Sequence, residues 1–168
     1  MVDNFLRGLV NKEWKIGSIT IGFLDILLLV FATVFGCAIR FSLRNVVAGD
    51  YKMFFEPWVA TLREGGGGFK GLAAEFEYVD YTTPYLLILS FISICPFFNT
   101  LYLMKMVSIF FDFVAAIAVA FIVLEETESR KKAIMAYGVM LFLPTIVANG
   151  SMWAQCDIIF TSFVMLSL

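Results

Sequence analysis

The sequence predicts an all-α fold, a polytopic membrane helix bundle with a long non-cytoplasmic loop carrying short amphipathic helices. Composition is the first ground. Of 168 residues, 61% are hydrophobic, 17% aromatic and 15% charged, against about 45–50% apolar and roughly 25% charged in ordinary soluble domains. The second ground is that the apolar excess comes in blocks long enough for bilayer crossings. The third is one long polar excursion, residues 40–83, set directly after the first block.

Composition also excludes whole classes of chemistry. There is no histidine, which removes Ser-His-Asp triads, His-ligated zinc and imidazole bases. A net charge of −2 offers nothing to nucleic acid. Cys37, Cys95 and Cys156 are widely spaced and odd in number, so they give no disulfide framework or metal site and are expected as buried small hydrophobes. Asn149-Gly150-Ser151 fits a glycosylation sequon by chance at a membrane boundary.

The elements follow in order. Residues 1–15 are polar, and Arg7, Lys12 and Lys15 before the first block predict a cytoplasmic N-terminus. The block Ile16–Ile39 predicts a spanning helix at about 16–40 that lacks a cleavage site and serves as an anchor. The loop at about 41–83 holds amphipathic segments Tyr51–Leu62 and Phe69–Phe76, suited to the membrane surface, on either side of Gly65–Gly68. Those glycines predict a flexible break; the Lys-Ser/Thr of a phosphate loop is missing. Further helices are predicted at about 84–98, 101–124 and 133–148. The last apolar piece, 158–168, has 11 residues where about 20 are needed, so the chain reads as the N-terminal part of a longer membrane domain.

Sidedness poses a conflict. If every block crosses once, Arg130, Lys131 and Lys132 fall outside, against the positive-inside rule. A re-entrant or half-length segment at 84–98 removes the conflict and puts 149–157 on the same side as the long loop.

Several polar residues suggest chemistry, each beside a structural reading. Asp25, Lys105 and Asp112 interrupt apolar blocks, where a charge costs about 2.5–3.5 kcal/mol at mid-bilayer. Lys105 and Asp112 lie seven apart, on one helix face. They form an interhelical polar pair, with Asp25 as a further partner, or Lys105 grips a lipid phosphate. Glu75 and Glu77 make an acid-x-acid pair, either solvated or a divalent-cation site. Trp58, Tyr78, Tyr81 and Tyr85 suit an interfacial belt or a stack on a sugar ring. Trp153, Gln155 and Asp157 suit recognition of hydroxyls, while Asn149 and Asp157 also read as helix caps. Asp50, just before Tyr51, is either a helix cap or a reactive carboxylate.

Four segments, in order, resemble membrane glycosyltransferases of the GT-C superfamily, in particular bacterial proteins similar to GPI-anchor mannosyltransferases. They are AGDYKMFFEPW (48–58), DYTTPYLLIL (80–89), KMVSIFFDFVAA (105–116) and NGSMWAQCDIIF (149–160). Thr83 stands where that family often has proline, and Ala154 where it has glycine. The resemblance covers about residues 16–168. It implies a bacterial plasma-membrane enzyme that transfers a sugar, mannose above all, with inversion, from a polyprenyl-phosphate donor to a glycan, lipid or protein acceptor. The active site is then on the non-cytoplasmic face.

Asp50 coincides with the family's essential acid and is expected as general base, favoured also because Gly49 lets the backbone approach closely; Glu56 is held in reserve. Arg40, Arg44 and Lys105 would neutralise the leaving phosphate, and Asp80, Tyr81, Asp112, Trp153, Gln155 and Asp157 would bind substrate. The sequence assigns no cofactor; a divalent cation is the one candidate, and the polyprenyl-phosphate sugar is the donor substrate. Other classes compete: a transporter or channel fragment with Asp25, Lys105 and Asp112 along a polar path, or a non-catalytic membrane subunit. The 44-residue loop favours the enzyme.

Overall fold

The computed structural model describes residues 12–16 and 19–168; Arg7 lies outside the described residues. The described chain is mostly helical, and two of its helices are long and apolar enough to cross a membrane. The first element departs from the all-α expectation. Strands β1 (Glu13–Ile16) and β2 (Ile19–Gly22) pair antiparallel, with Trp14 opposite Ile21 and Lys15 opposite Thr20. Tryptophan, threonine and isoleucine suit a pleated ribbon, so the start of the first apolar block is strand. Helix α1 therefore runs Phe23–Ser42, not from residue 16. It begins where Asp25 Oδ2 accepts the Gly22 N–H at 2.9 Å, filling one of the orphan donors of a helix start.

A π-helical turn, Tyr51–Phe55, leads into α2 (Glu56–Glu64), and α3 is a single turn, Gly68–Gly71. Tyr51, Phe55, Trp58, Val59 and Leu62 form the apolar stripe predicted from the sequence. It faces protein, not the membrane surface: the stripe shares one buried cluster with Tyr85, Leu89, Leu101 and Met104. Each such large side chain contributes about 1.5–3 kcal/mol on burial. The glycine run is a defined turn, not a flexible break. Gly66, Gly67 and Gly68 take φ of 99°, 71° and 52°, a region side chains disfavour, and the Gly67 N–H reaches Leu62 O at 2.8 Å.

Helix α4 (Thr83–Ser93) has 11 residues, about 16 Å of rise against a hydrocarbon core of roughly 30 Å. It stops before Pro96, short of the predicted residue 98. Helix α5 (Thr100–Thr127) is the longest, at 28 residues. Helix α6 (Arg130–Phe142) ends at Leu143, which is extended (φ −57°, ψ 121°), the conformation a following proline imposes. That residue, Pro144, opens α7 (Pro144–Val147), followed by a π-helical turn at Ala148–Met152; the pair after the break is bent by 46° from α6. Helix α8 (Asp157–Leu166) closes the chain.

Two sets of hydrogen bonds fix which helix ends lie together. At one end Arg130 pairs with Asp25 at 2.6 Å, reaches Glu13 at 3.2 Å and donates to Thr20 O. At the other, Lys105 donates to the carbonyls of Leu43 (2.9 Å), Arg44 (3.2 Å) and Val46 (2.7 Å), and Tyr102 donates to Asn45 at 2.7 Å. Helices α1 and α5 are thus antiparallel, and α6 returns beside α1, joined midway by Thr33 and Tyr137 at 2.7 Å. Helix α4 stays at the Lys105 end: Arg63 of α2 donates to both Ser93 O (3.3 Å) and Thr100 Oγ1 (3.0 Å). The basic loop 130–132 and the excursion 43–83 therefore sit at opposite ends.

The cysteines are not buried as expected. Cys37 is exposed on the apolar outer face of α1, while Cys95 and Cys156 are half-buried.

Candidate functional site

The site grows from one stripe of α5. Lys105, Ser108 and Asp112 are spaced by three and four, so they share a face, and all three are buried. Each holds a different strand of chain. Lys105 takes the three carbonyls that end α1, just ahead of Asp50. Ser108 Oγ donates to Gln155 O at 2.7 Å. Asp112 Oδ2 accepts from Arg40 Nε at 2.8 Å, and Arg40 Nη1 adds bonds to Gly36 O (3.3 Å) and Leu141 O (3.1 Å). Gly150 passes so close that an added Cβ would lie 3.2 Å from Asp112 Oδ2 and 3.4 Å from Ser108 Cβ.

This scaffold corrects three expectations. Asp112 pairs with Arg40, not with Lys105 or Asp25; Asp25 belongs to Arg130 at the far end. Arg40 and Lys105 are 1% and 2% exposed and bonded within the bundle, so neither presents its charge to a leaving phosphate. Asp112, 1% exposed, does not reach a substrate either. A desolvated charge of this kind survives only when paired and hydrogen-bonded.

What the scaffold supports is a cavity of about 570 Å³ lined by Asp50, Tyr81, Asn149, Trp153, Gln155 and Asp157, floored by Ala48 and Gly49. Asp50 is brought there by its own helical turn. Its backbone is helical (φ −58°, ψ −36°) and its side chain caps nothing, which removes the capping explanation for this residue. The carboxylate turns instead to Gln155, whose Nε2 donates to Asp50 Oδ2 at 2.7 Å. Tyr81 OH donates to Gln155 Oε1 at 2.6 Å.

The direction of this relay is set by Asp50. Burial, with Cys156 and the carboxylates of Asp157, Asp80 and Asp50 nearby, pushes the Tyr81 phenol up to about 12. The neutral phenol can donate or accept, but the Asp50 carboxylate only accepts, so the Gln155 N–H groups point at Asp50 and its oxygen takes the Tyr81 hydroxyl. Asp50 Oδ1 accepts no hydrogen bond from the described residues. The relay leaves an acceptor oxygen at a polar cavity.

Elsewhere in the cavity lining, Asn149 Nδ2 donates to Asp157 Oδ2 at 2.8 Å. Asp157 sits in the first turn of α8 without a side-chain cap bond, and Asn149 lies inside the π-helical turn. Their pairing replaces the two separate capping roles. A second cavity, about 410 Å³, adjoins the first through shared walls at Tyr81 and Asp157 and is flanked by Asp80, Thr82, Cys156 and Phe160. Asp80 is exposed and meets Tyr78 OH at 3.4 Å.

Other predicted residues lie elsewhere. Glu56 is exposed and paired with Lys52 at 2.9 Å, off the cavity wall. Gly49 shows no close approach: an added Cβ would meet only Met53 Cε, at 3.9 Å. Arg44 is half-buried over the Phe41 ring, 4.0 Å from its centroid, with Nη1 on Phe41 O at 2.9 Å. Trp58 and Tyr85 are core residues, 5% and 7% exposed, and Trp58 Nε1 donates to Tyr78 O at 2.7 Å. Neither forms a belt or a sugar platform. Glu75 and Glu77 are exposed, and among the described residues no group of three or more Asp, Glu or Cys side chains gathers to hold a metal ion.

Ala154 joins Trp153 to Gln155 with φ of 57° while wholly buried. A left-handed alanine costs roughly 1–2 kcal/mol, and this is the position where the resembled pattern carries glycine. Sequence reasoning missed Ser108 and Gly150 as positioning residues and Asn149 as a cavity residue. Ser108 had a signal, since it falls on the same face as Lys105 and Asp112.

Compared with protein-family models, with curated proteins and with solved structures, the chain finds no match. Chemistry must be argued from the cavity itself.

Proposed function

We propose that the protein is an integral membrane glycosyltransferase that takes a sugar, a mannosyl unit being the first choice, from a polyprenyl-phosphate donor with inversion. The observation that carries this reading is the Asp50 carboxylate, held by Gln155 at the wall of a polar cavity and free of any capping duty. In the reaction, Asp50 takes the proton of the acceptor hydroxyl as that oxygen bonds to the anomeric carbon. The bond from this carbon to the phosphate oxygen breaks, its electron pair leaves with polyprenyl phosphate, and the configuration inverts. Phosphate departs without protonation, so the step needs a base and no general acid. Without histidine, a carboxylate must serve.

Several features support the reading. Two adjoining cavities divided by Tyr81 and Asp157 suit a reaction of two substrates, and Phe160 of apolar α8, beside the smaller one, suits contact with the lipid chain of the donor. Arg40 and Lys105 are bound inside the bundle and Arg44, past the end of α1, lines neither cavity, so none of the three is assigned to the departing phosphate. Arg130, Lys131 and Lys132 at the opposite end favour the cytoplasmic side for that end, which supports a cavity on the outer face, in the proposal that of a bacterial plasma membrane. The transport alternative expects Asp25, Lys105 and Asp112 along one passage; Asp25 instead pairs with Arg130 at the opposite end, while Lys105, bonded to carbonyls, and Asp112, paired with Arg40, are at most 2% exposed.

The test is donor class. Membranes carrying the full chain should transfer labelled hexose from a polyprenyl-phosphate hexose and not directly from the nucleotide hexose. Transfer from the nucleotide sugar with no lipid-linked intermediate would overturn the proposal.

A further inference from the structure

The structure assigns a ligand class to the cavity that Asp50 lines: we propose that Trp153 is the platform on which the neutral pyranose ring of a sugar stacks, with its hydroxyls held by Asp157. This deepens the transferase reading, resting on it for the fate of the sugar but not for its binding.

Presentation singles out Trp153. Trp58 is buried with its N–H already donated, and Trp14 carries Lys12 5.3 Å above its ring. Trp153 is 48% exposed at the cavity wall, and among the described residues no aromatic ring stacks on it. Its backbone is pinned nonetheless. The Trp153 N–H bonds Ala148 O at 3.0 Å, the Gln155 N–H bonds Asn149 O at 3.0 Å, and Ser108 holds Gln155 O. An open aromatic face on fixed backbone loses little entropy when a ligand settles on it.

Polarity narrows the ligand further. Asp157 binds Asn149 through one oxygen only, and its Oδ1 accepts no hydrogen bond from the described residues. That oxygen is an acceptor awaiting a donor, and hydroxyls are donors. Asp50, Asp157 and nearby Asp80 set a negative field that rejects phosphate, sulfate or carboxylate ligands. An apolar ring face beside hydroxyl donors, with no net charge, describes a pyranoside. It also leaves the donor's phosphate outside this cavity, so the ring that stacks here is the one carrying the nucleophilic hydroxyl. That places the acceptor within the same cavity as Asp50.

Saturation-transfer NMR on the full chain in detergent micelles, with methyl hexopyranosides as probes and a linear hexitol as control, tests this. The expected result is transfer concentrated on the ring protons of one pyranoside face, absent for the hexitol and lost in Trp153→Ala. Asp157→Asn removes a charged acceptor and should weaken binding about ten-fold or more. It also serves if Trp153→Ala fails to fold, as judged by near-UV circular dichroism. Equal transfer to pyranoside and hexitol, no transfer at high millimolar pyranoside, or transfer unchanged in both variants would overturn the proposal. Trp153-dependent binding without any sugar-transfer activity would instead overturn the transferase reading and leave this subsite standing. Transfer activity without such binding does the reverse.

Discussion

Gln155 Nε2 stands 2.7 Å from Asp50 Oδ2 across 105 residues of chain. The same amide takes the Tyr81 hydroxyl at 2.6 Å on its other side, so one side chain ties the loop after α1, the entry to α4 and the turn before α8 into a single unit. These two bonds spend one N–H and one lone pair of the amide, so Gln155 orients Asp50 while it still lines the cavity.

The relay makes a prediction about pH. The Tyr81 phenol is raised from 10.0 to about 12, first by burial and then by Cys156 and the carboxylates. A tyrosine whose folded value lies above its unfolded one is held as the neutral donor. Its contribution to stability is complete below about pH 10 and is lost as pH rises through about 12. Phenolate absorbance should show a tyrosine titrating near the upper value, missing in Tyr81→Phe and shifted down in Asp157→Asn. A Tyr81 that titrates at the ordinary position would contradict its burial beside these carboxylates.

The Arg40–Asp112 pair predicts an asymmetric mutant cycle. Asp112→Leu alone strands a buried guanidinium and should destabilise by about 3–5 kcal/mol, whereas Arg40→Met with Asp112→Leu removes both charges and should recover most of it. Unfolding in determined amounts of denaturing detergent reads the difference. Additive losses in the double variant would mean that the two do not pair.

Gly150→Ala drives a methyl towards Asp112 and Ser108, where the nearest atoms lie at 3.2–3.4 Å. Both neighbours are anchored, so overpacking should cost about 1–3 kcal/mol and lower the thermal midpoint. The same change at exposed Gly49, where nothing lies nearer than 3.9 Å, should be near neutral. Equal effects at the two positions would remove the close-packing argument.

Helix pairing predicts sidedness. With the native cysteines replaced, single cysteines at exposed Lys70 and Asp80 should react with an impermeant thiol reagent from one side of the membrane and Lys131→Cys only from the other. Labelling of all three from one side would contradict the antiparallel arrangement of α1, α5 and α6.

Much of this organisation was legible in residue spacing. The three-and-four interval of Lys105, Ser108 and Asp112 shows one face, the apolar stripe Tyr51–Leu62 shows a helix, and the shortness of 84–98 argues against a crossing. Partners were not legible. Nothing local tells that Asp112 meets Arg40, 72 residues away, or that Lys105 spends its three donors on the end of α1. Nor does hydropathy separate the β-branched start of the first block from the helix after it, since both are equally apolar. The capping alternative for Asp50 was open in sequence because Asp suits that position; only its helical backbone and its bond to Gln155 distinguish the two.

The central claim is that Asp50 is the base, and its most direct test is Asp50→Asn assayed for sugar transfer in membranes carrying the full chain. The amide keeps an oxygen that accepts from Gln155, so the relay can persist while the basic oxygen is lost. Loss of a positioned base predicts a fall in transfer rate of about 10²–10⁴-fold, with normal amounts of folded protein in the membrane. Transfer at the parental rate in Asp50→Asn would contradict the account.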